Sequence, residues 1–313
     1  MAQETSREEQ IVSLFKALAP TQGYNLTPLK DVRLLRSDQN LSQTPVLYDP
    51  GIVIVCQGCK KGYFGDKCYI YDAQQYLAVS VPVPFTMQTI ASKEQPLLAI
   101  YIHLDFELAS KMLLQMQEHG FTLPKEAPQS MMSTPMDDAL KASVLRFLQV
   151  LSRPLEAAVL GQTLLQELYF HFLSKEQGNV ICSALSMQGP FAKINSVLKY
   201  IHNHYKQPLT LPELANSVSM SVPTFHSHFK AITALPPMQY VKSVRLHQAR
   251  MLMARQSMTA VSASYAVGYE SPSQFNREFK RLFGLPPAEE VKRMKAHFAI
   301  PPAQAINDYV SSH

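Results

Sequence analysis

The chain reads as an α+β protein of two domains. A β-rich front followed by helices precedes an all-α rear in which two helix-turn-helix units are joined by a long helix. Three observations give this reading. Ser221, Phe225, Phe229, Lys230, Leu235, Pro236, Pro237, Val241 and Lys242 return fifty residues later as Ser271, Phe275, Phe279, Lys280, Leu285, Pro286, Pro287, Val291 and Lys292. Short segments rich in β-branched and aromatic residues fill about residues 24–104. Apolar stripes at helical spacing occupy the stretch between the two. At 313 residues the chain has room for two separate cores.

In the front, Val46-Leu47-Tyr48, Gly51 to Cys56, Tyr63-Phe64, Cys68 to Tyr71, Tyr76 to Val83 and Leu97 to Leu104 have strand composition. Asp49-Pro50-Gly51, Gly65-Asp66 and Pro82-Val83-Pro84 separate them, and Gly65-Asp66 between two aromatic segments fits a hairpin. Many short strands with close turns predict a small barrel or sandwich. Helices are expected over about 105–120, 137–153 and 155–176, with stripes such as Leu108, Met112 and Met116, or Leu164, Leu168 and Phe172. Gly178, Ser183, Ser186, Gly189 and Pro190 mark a linker over 177–190.

In the rear, Thr210-Leu211-Pro212-Glu213 has capping-box spacing. Leu211, Leu214, Ala215 and Val218 give this short helix one apolar face, and a tight turn follows at Ser219-Met220. Ser221 then suits an N-cap, with Phe225, Phe229 and Ile232 inward and Pro223, His226, Ser227 and Lys230 outward. The second copy keeps this phase. Gly268 suits a turn, Ser271 a cap, and Phe275, Phe279 and Leu282 the inner face. Ser273, Asn276, Arg277 and Lys280 point outward, and paired prolines stop both helices. Arginine can donate two hydrogen bonds to guanine, and asparagine can grip adenine. Lys230, Lys280 and Arg281 suit phosphates, which position without reading sequence. One such pattern is ordinary core chemistry; two in phase with basic outer faces describe a tandem reader of DNA. The helix from Met238 to Arg255, roughly 27 Å long at 1.5 Å per residue, can set the readers about one DNA turn, ~34 Å, apart.

Val267-Gly268-Tyr269-Glu270-Ser271-Pro272-Ser273-Gln274-Phe275-Asn276-Arg277-Glu278-Phe279 closely resembles the signature of the AraC/XylS family of transcription regulators. Phe229-Lys230 and Leu235-Pro236-Pro237-Met238-Gln239-Tyr240 resemble the same family's first motif and bridging helix. The resemblance covers about residues 190–295. It implies base-facing positions at Pro223, His226 and Ser227, with Thr224 beside them, and at Ser273, Gln274, Asn276 and Arg277. Ser227 stands where many members carry arginine, so the first reader is expected to contribute less base contact than the second. By the same resemblance the front is a cupin-like sensor barrel, the helices behind it dimerise the protein, and activation is expected over repression. RNA polymerase is then a partner.

The domain expectation is a sensor and dimerisation domain over 1–176 (β-rich 24–104, helical 105–176), a linker over 177–190, a DNA-binding domain over 191–295 and a tail over 296–313. Charge segregates accordingly. The net charge is +9 over residues 190–295 and −4 over the rest. Basic charge thus lies beside the repeat, as phosphate binding requires. No apolar run is long enough to span a membrane. Met1 to Gln10 is acidic and polar, unlike a signal peptide, and the cytoplasm is the expected compartment.

The sensor chemistry is left open by the residues. Cys56-Gln57-Gly58-Cys59 has CxxC spacing, but no second pair completes a zinc site, and residues three apart on a strand face opposite ways unless Gly58 carries a bulge. Cys56, Cys59 and Cys68 are read as structural thiols, redox- or electrophile-sensing thiols, or metal ligands, in that order. His103 shares a strand face with Tyr101, and Tyr48, Cys56, Tyr101 and His103 form the candidate effector set. His202 and His204 diverge on a helix and do not pair at a metal. No metal, cofactor or catalytic residue is expected, since no Gly-x-Ser-x-Gly, His-Glu-x-x-His or phosphate-loop pattern occurs. The sequence therefore predicts a regulator that binds promoter half-sites, is controlled by a small molecule or reactive electrophile sensed in its front domain, and acts as a homodimer. Two rivals stand beside it: an enzyme-like barrel fused to a DNA-binding module, and a DNA-binding protein that needs no ligand.

Overall fold

The computed structural model describes residues 6–122, 129–174, 178–185 and 189–297. Helix α1 (Arg7–Leu18) opens the chain, its first turn closed by a reciprocal capping box between Ser6 and Glu9. Nine strands follow: β1 (Gly23–Leu26), β2 (Val32–Ser37), β3 (Leu41–Tyr48), β4 (Gly51–Gln57), β5 (Cys59–Phe64), β6 (Lys67–Asp72), β7 (Gln75–Val79), β8 (Val83–Ile90) and β9 (Leu97–His103). Next come α2 (Phe106–Glu118), β10 (Met131–Pro135), α3 (Asp138–Leu151), α4 (Pro154–Ser174) and α5 (Asn179–Leu185). The rear holds α6 (Gly189–His204), α7 (Leu211–Asn216), α8 (Val222–Thr233), α9 (Pro237–Gln256), α10 (Ala260–Ala266), α11 (Pro272–Phe283) and α12 (Pro287–His297).

The strands form one antiparallel sheet in the order β1-β2-β9-β4-β7-β6-β5-β8-β3, with β10 also paired to β7. Because β1 and β3 remain at its two ends, the sheet is a curled half-barrel. Alternation along the central strands sorts side chains between two cores. Ile52 and Ile54 of β4, with Leu98, Ile100 and Ile102 of β9, pack against α1 to α5. Val53, Val55, Ala99 and Tyr101 face the other way, into the curl, where Tyr48, Tyr71, Phe85 and Met87 join them. The same core continues into Phe225, Phe229, Tyr240 and Val244, so the first helical unit is seated against the half-barrel. A third core of Leu246, Met253, Tyr269, Phe275, Phe279 and Phe283 belongs to the second unit.

The expected β5–β6 hairpin is present, with Phe64 opposite Lys67 and Gly65 at φ 58°. The expected linker over 177–190 is not an open connection. It contains α5, whose Val180, Ile181, Cys182 and Ala184 are buried in the front core. Their apolar burial outweighs the glycine and serine signals around them. Helix α1 and strand β10 carry no expectation from the sequence, β1 and β2 lie in the expected β-rich stretch without being picked out as strands, and the expected segment Tyr76 to Val83 ends at Val79. Strand β8 instead starts at Val83 and tolerates Pro84 because β5 pairs with it only from Tyr63–Thr86 onward. Most of the expected tail, residues 298–313, lies outside the described residues. Among the described residues no helix is long and apolar enough to cross a membrane.

Candidate nucleic-acid interface and the cavity behind it

The two readers are built alike, residue for residue. In the first, Thr210 and Glu213 close a capping box on α7, and Ser219 turns the chain at φ 52°. Ser221 Oγ then accepts the Thr224 N–H at 3.4 Å to start α8. In the second, Thr259 caps α10, Gly268 turns at φ 86°, and Ser271 Oγ accepts the Gln274 N–H at 3.3 Å to start α11. Both helices end in a left-handed residue, Ala234 and Gly284, and both are followed by a helix that begins at a proline. The buried pairs Phe225–Phe229 and Phe275–Phe279 each have ring centroids 5.4 Å apart.

This burial fixes what faces outward. Pro223, Thr224, His226, Ser227 and Lys230 are all exposed on α8, and Ser273, Gln274, Asn276, Arg277, Lys280 and Arg281 are all exposed on α11. Lys230, Lys280 and Arg281 sit in the last turns, where cations also suit the helix dipole. Beside this face, Glu278 accepts from Lys242 of α9 at 2.9 Å, from the Tyr269 hydroxyl at 2.7 Å and from Gln274 at 3.4 Å. Burial opposes its charge, but these donors outweigh burial and hold its carboxyl below the usual range. Gln274 is thereby tethered within its own helix.

Behind the readers, a cavity of about 430 Å³ lies between the half-barrel and the rear helices. Val46, Tyr63, Phe85 and Thr86 line it from the sheet, Leu235 from the connection between α8 and α9, and Lys242, Leu246, Arg281 and Leu282 from the helices. Hydrogen bonds cross the same boundary. The Tyr240 hydroxyl donates to Pro82 O at 2.8 Å and accepts from His202 Nε2 at 2.8 Å, while Ser130 Oγ donates to Ile232 O. Burial keeps His202 neutral, its pKa pushed down to about 3. At another point Asp49 is buried near Arg33 of β2 and Arg255 at the end of α9, and burial lifts its carboxyl to about 8 against both cations.

The expected effector residues divide between two faces. Tyr48 and Tyr101 are buried inside the curl, and His103 stands half-buried at the end of the same face of β9. Cys56 belongs to the opposite face, packed with the helical core and beside Val12 and Lys16 of α1. It therefore does not line the interior with the tyrosines. The cause is alternation along β4, which sends Val55 inward and Cys56 outward. Gly58, at φ 81°, makes the corner between β4 and β5, so the two thiols of the CxxC lie on different strands. All four cysteines are free, and burial pushes the Cys56 thiol up to about 12, away from the reactive thiolate. Among the described residues no three metal-ligating side chains converge.

Lys60 was not singled out in the sequence. It is 1% exposed and points into the curl, where Nζ donates to the Tyr48 hydroxyl at 3.1 Å and to Met87 Sδ at 3.0 Å. Among the described residues no carboxylate pairs with it within 4.0 Å. Burial brings its pKa down to about 7. Phe85, which lines the cavity, meets the Tyr48 ring edge-on at 4.6 Å and lies over Gly62, where a Cβ would come within 3.1 Å of it. The alternation of Lys60 with Gly62 is the only sequence signal for an inward lysine, and it needs the strand register to be read.

An antiparallel half-barrel, a helical layer and two matched helix-turn-helix units define a two-domain regulator of the tandem-reader class. The family description "AraC-type transcriptional regulator N-terminus" matches residues 28–180, and "Helix-turn-helix domain" matches residues 214–293. The chain belongs to the AraC family of transcription regulators. It is 22% identical over 251 residues to the virulence regulon transcriptional activator VirF of Yersinia enterocolitica, covering 80% of this chain and 83% of that one. It is 29% identical over 98 residues to the transcriptional activator RhaS of Klebsiella pneumoniae, 31% of this chain and 35% of that protein. Among solved structures, an apo ToxT variant from Vibrio cholerae superposes with a TM-score of 0.57 at 11% identity, covering 84% of this chain and 97% of ToxT. ToxT with an unsaturated fatty acid bound superposes with a TM-score of 0.54 at 12% identity, covering 87% and 97%.

Proposed function

We propose that this protein is a ligand-controlled transcription activator that reads two adjacent half-sites in the major groove. The observation that carries the reading is the pair of matched helices α8 and α11, each capped by serine, anchored by two phenylalanines and exposing a polar and basic outer face. Asn276 and Arg277 supply direct base contacts in the second reader, with Ser273 and Gln274 beside them. Pro223, Thr224, His226 and Ser227 supply the first reader's smaller share. Lys230, Lys280 and Arg281 hold phosphates. The chain is read as a regulator rather than an enzyme, working in the cytoplasm on duplex DNA and contacting RNA polymerase as an activator.

Two variants test the assignment. Arg277→Ala is expected to cost roughly 1–3 kcal/mol at one base pair and to relax base preference there. Lys280→Ala is expected to weaken all sequences alike and to lower the slope of log K against log salt by about one contact. Titration of the selected duplex and its single-base variants at several salt concentrations separates them. Equal, sequence-independent losses from both would reduce Arg277 to a phosphate contact.

The effector in this reading is an apolar acid. Its acid group meets Lys60, with Tyr48, Tyr101 and His103 on the same face, and its apolar body extends past Phe85 into the cavity between the domains. A neutral pocket does not require a buried ammonium, whereas an anion offsets its desolvation. The fatty-acid-bound ToxT structure has the same ligand chemistry. A ligand there touches Leu235, Leu246 and Leu282 of the rear unit, so its binding free energy depends on how the domains are seated. For self-association, α4 leaves Leu155 at 78% and Val159 at 67% exposure, with Phe170 exposed further along the helix. A second copy covering this stripe supports the dimer.

A further inference from the structure

The two readers meet at a seam braced by one side chain. Arg245, midway along α9, donates Nε to Tyr205 O at 2.7 Å, one terminal nitrogen to Gln207 O at 2.7 Å and the other to Gly268 O at 3.1 Å. Tyr205 and Gln207 lie in the connection between α6 and α7, on the first unit, whereas Gly268 is the turn of the second. The backbones themselves touch there: a Cβ on Gly268 would stand 2.4 Å from Lys206 O. The Tyr205 side chain packs against both the first reader's core and the second's. A single guanidinium thus satisfies carbonyls from both units while rooted in the helix that joins them.

We propose that Arg245 is a positioning residue that fixes the distance and rotation between α8 and α11, and so sets which spacing between half-sites the protein accepts. The inference rests on the tandem-reader function above. Each added base pair turns the second half-site by about 34–36° around the duplex and moves it ~3.4 Å along it. A joined pair of readers follows that displacement only if the seam yields. The planar fork of arginine reaches three carbonyls at fixed angles, while the compact ammonium of lysine cannot span them together.

The test is selection of duplexes from a random-sequence pool by the full-length protein, reading half-site sequences and the spacing between them. Wild type is expected to return two motifs at one spacing, with about tenfold or greater preference over a one-base-pair insertion. Arg245→Ala is expected to return the same two motifs at a spread of spacings, with the preference reduced to about threefold or less. Arg245→Lys is expected to fall between them. Gly268→Ala, which wedges the seam from the other side, is expected to broaden or displace the spacing likewise. An Arg245→Lys or Arg245→Ala protein that keeps the single spacing as sharply as wild type overturns the inference. Loss of one motif with no change in spacing overturns it too, since Arg245 would then support one reader only. If wild type itself selects no paired motifs, the DNA-reading function fails, and the brace fails with it.

Discussion

Glu290→Ala is expected to cost the second reader about 3–5 kcal/mol, enough to unfold it within an otherwise folded chain. Glu290 of α12 is fully buried and pairs through Oε1 with Arg250 of α9 at 3.2 Å and through Oε2 with Arg293 at 2.7 Å. Arg250 is itself buried, with its guanidinium 4.3 Å from the Phe283 ring centroid and 3.2 Å from His247 Nδ1. Burial lowers the Arg250 pKa to about 10 even with the Glu290 charge opposing it. Removing the carboxylate takes away the buried anion that faces Arg250, beside the core that carries Phe275 and Phe279. Hydrogen exchange is expected to accelerate across α10 to α12 while the half-barrel and first reader stay protected. DNA protection should shrink to one half-site. Uniform exchange and an intact two-site footprint would show that the pair adds little. Replacing Arg250 and Glu290 together by Met and Leu is expected to recover most of the loss, because the damage comes from keeping the Arg250 charge buried without the Glu290 carboxylate.

Lys60→Met should act in the opposite direction, raising stability by about 2–4 kcal/mol at pH 7 while abolishing the response to an acidic effector. The sign follows from protonation. The lysine pKa is 10.5 in the open chain and about 7 when buried. Between those values the unfolded chain binds more protons, so wild-type stability climbs as pH rises through the window and is flat below it. The methionine variant is expected to lose that climb. Urea unfolding followed by circular dichroism at pH 7 and pH 9.5 measures it. Oleate serves as the effector probe: it should raise the melting temperature of wild type and leave Lys60→Met unmoved. A variant that is destabilised and still stabilised by oleate would remove Lys60 from the effector reading.

The rear of the molecule was legible because its information is local. Caps, paired phenylalanines and proline stops recur within a dozen residues, and Ser221 and Ser271 make the same cap bond in the structure. The Gly65-Asp66 turn was legible for the same reason. The front depends on pairing between distant segments, such as β2 with β9 and β3 with β8, which no local pattern reveals. That is why β1 and β2 were not picked out within the β-rich stretch and β10 passed unread. It also hid which of Lys60 and Lys61 points inward, and it left Cys56 grouped with tyrosines on the other face. Residues 177–190 misled in a different way: glycines and serines flank a short run, Val180 to Cys182, whose burial decides its structure. Arg245 could not be ranked above other basic residues of its helix, because its partners are backbone carbonyls brought in from both units.

In the proposed function, two linked readers recognise paired half-sites and thereby regulate specific genes. Genome-wide occupancy of the tagged protein in its own host, with transcript levels in the presence and absence of the gene, tests it most directly. A small number of sharp sites is expected, each holding two motifs about one helical turn apart, beside genes whose transcripts fall when the gene is removed. Diffuse occupancy that follows open DNA, with no shared paired motif and no change in neighbouring transcripts, would contradict it.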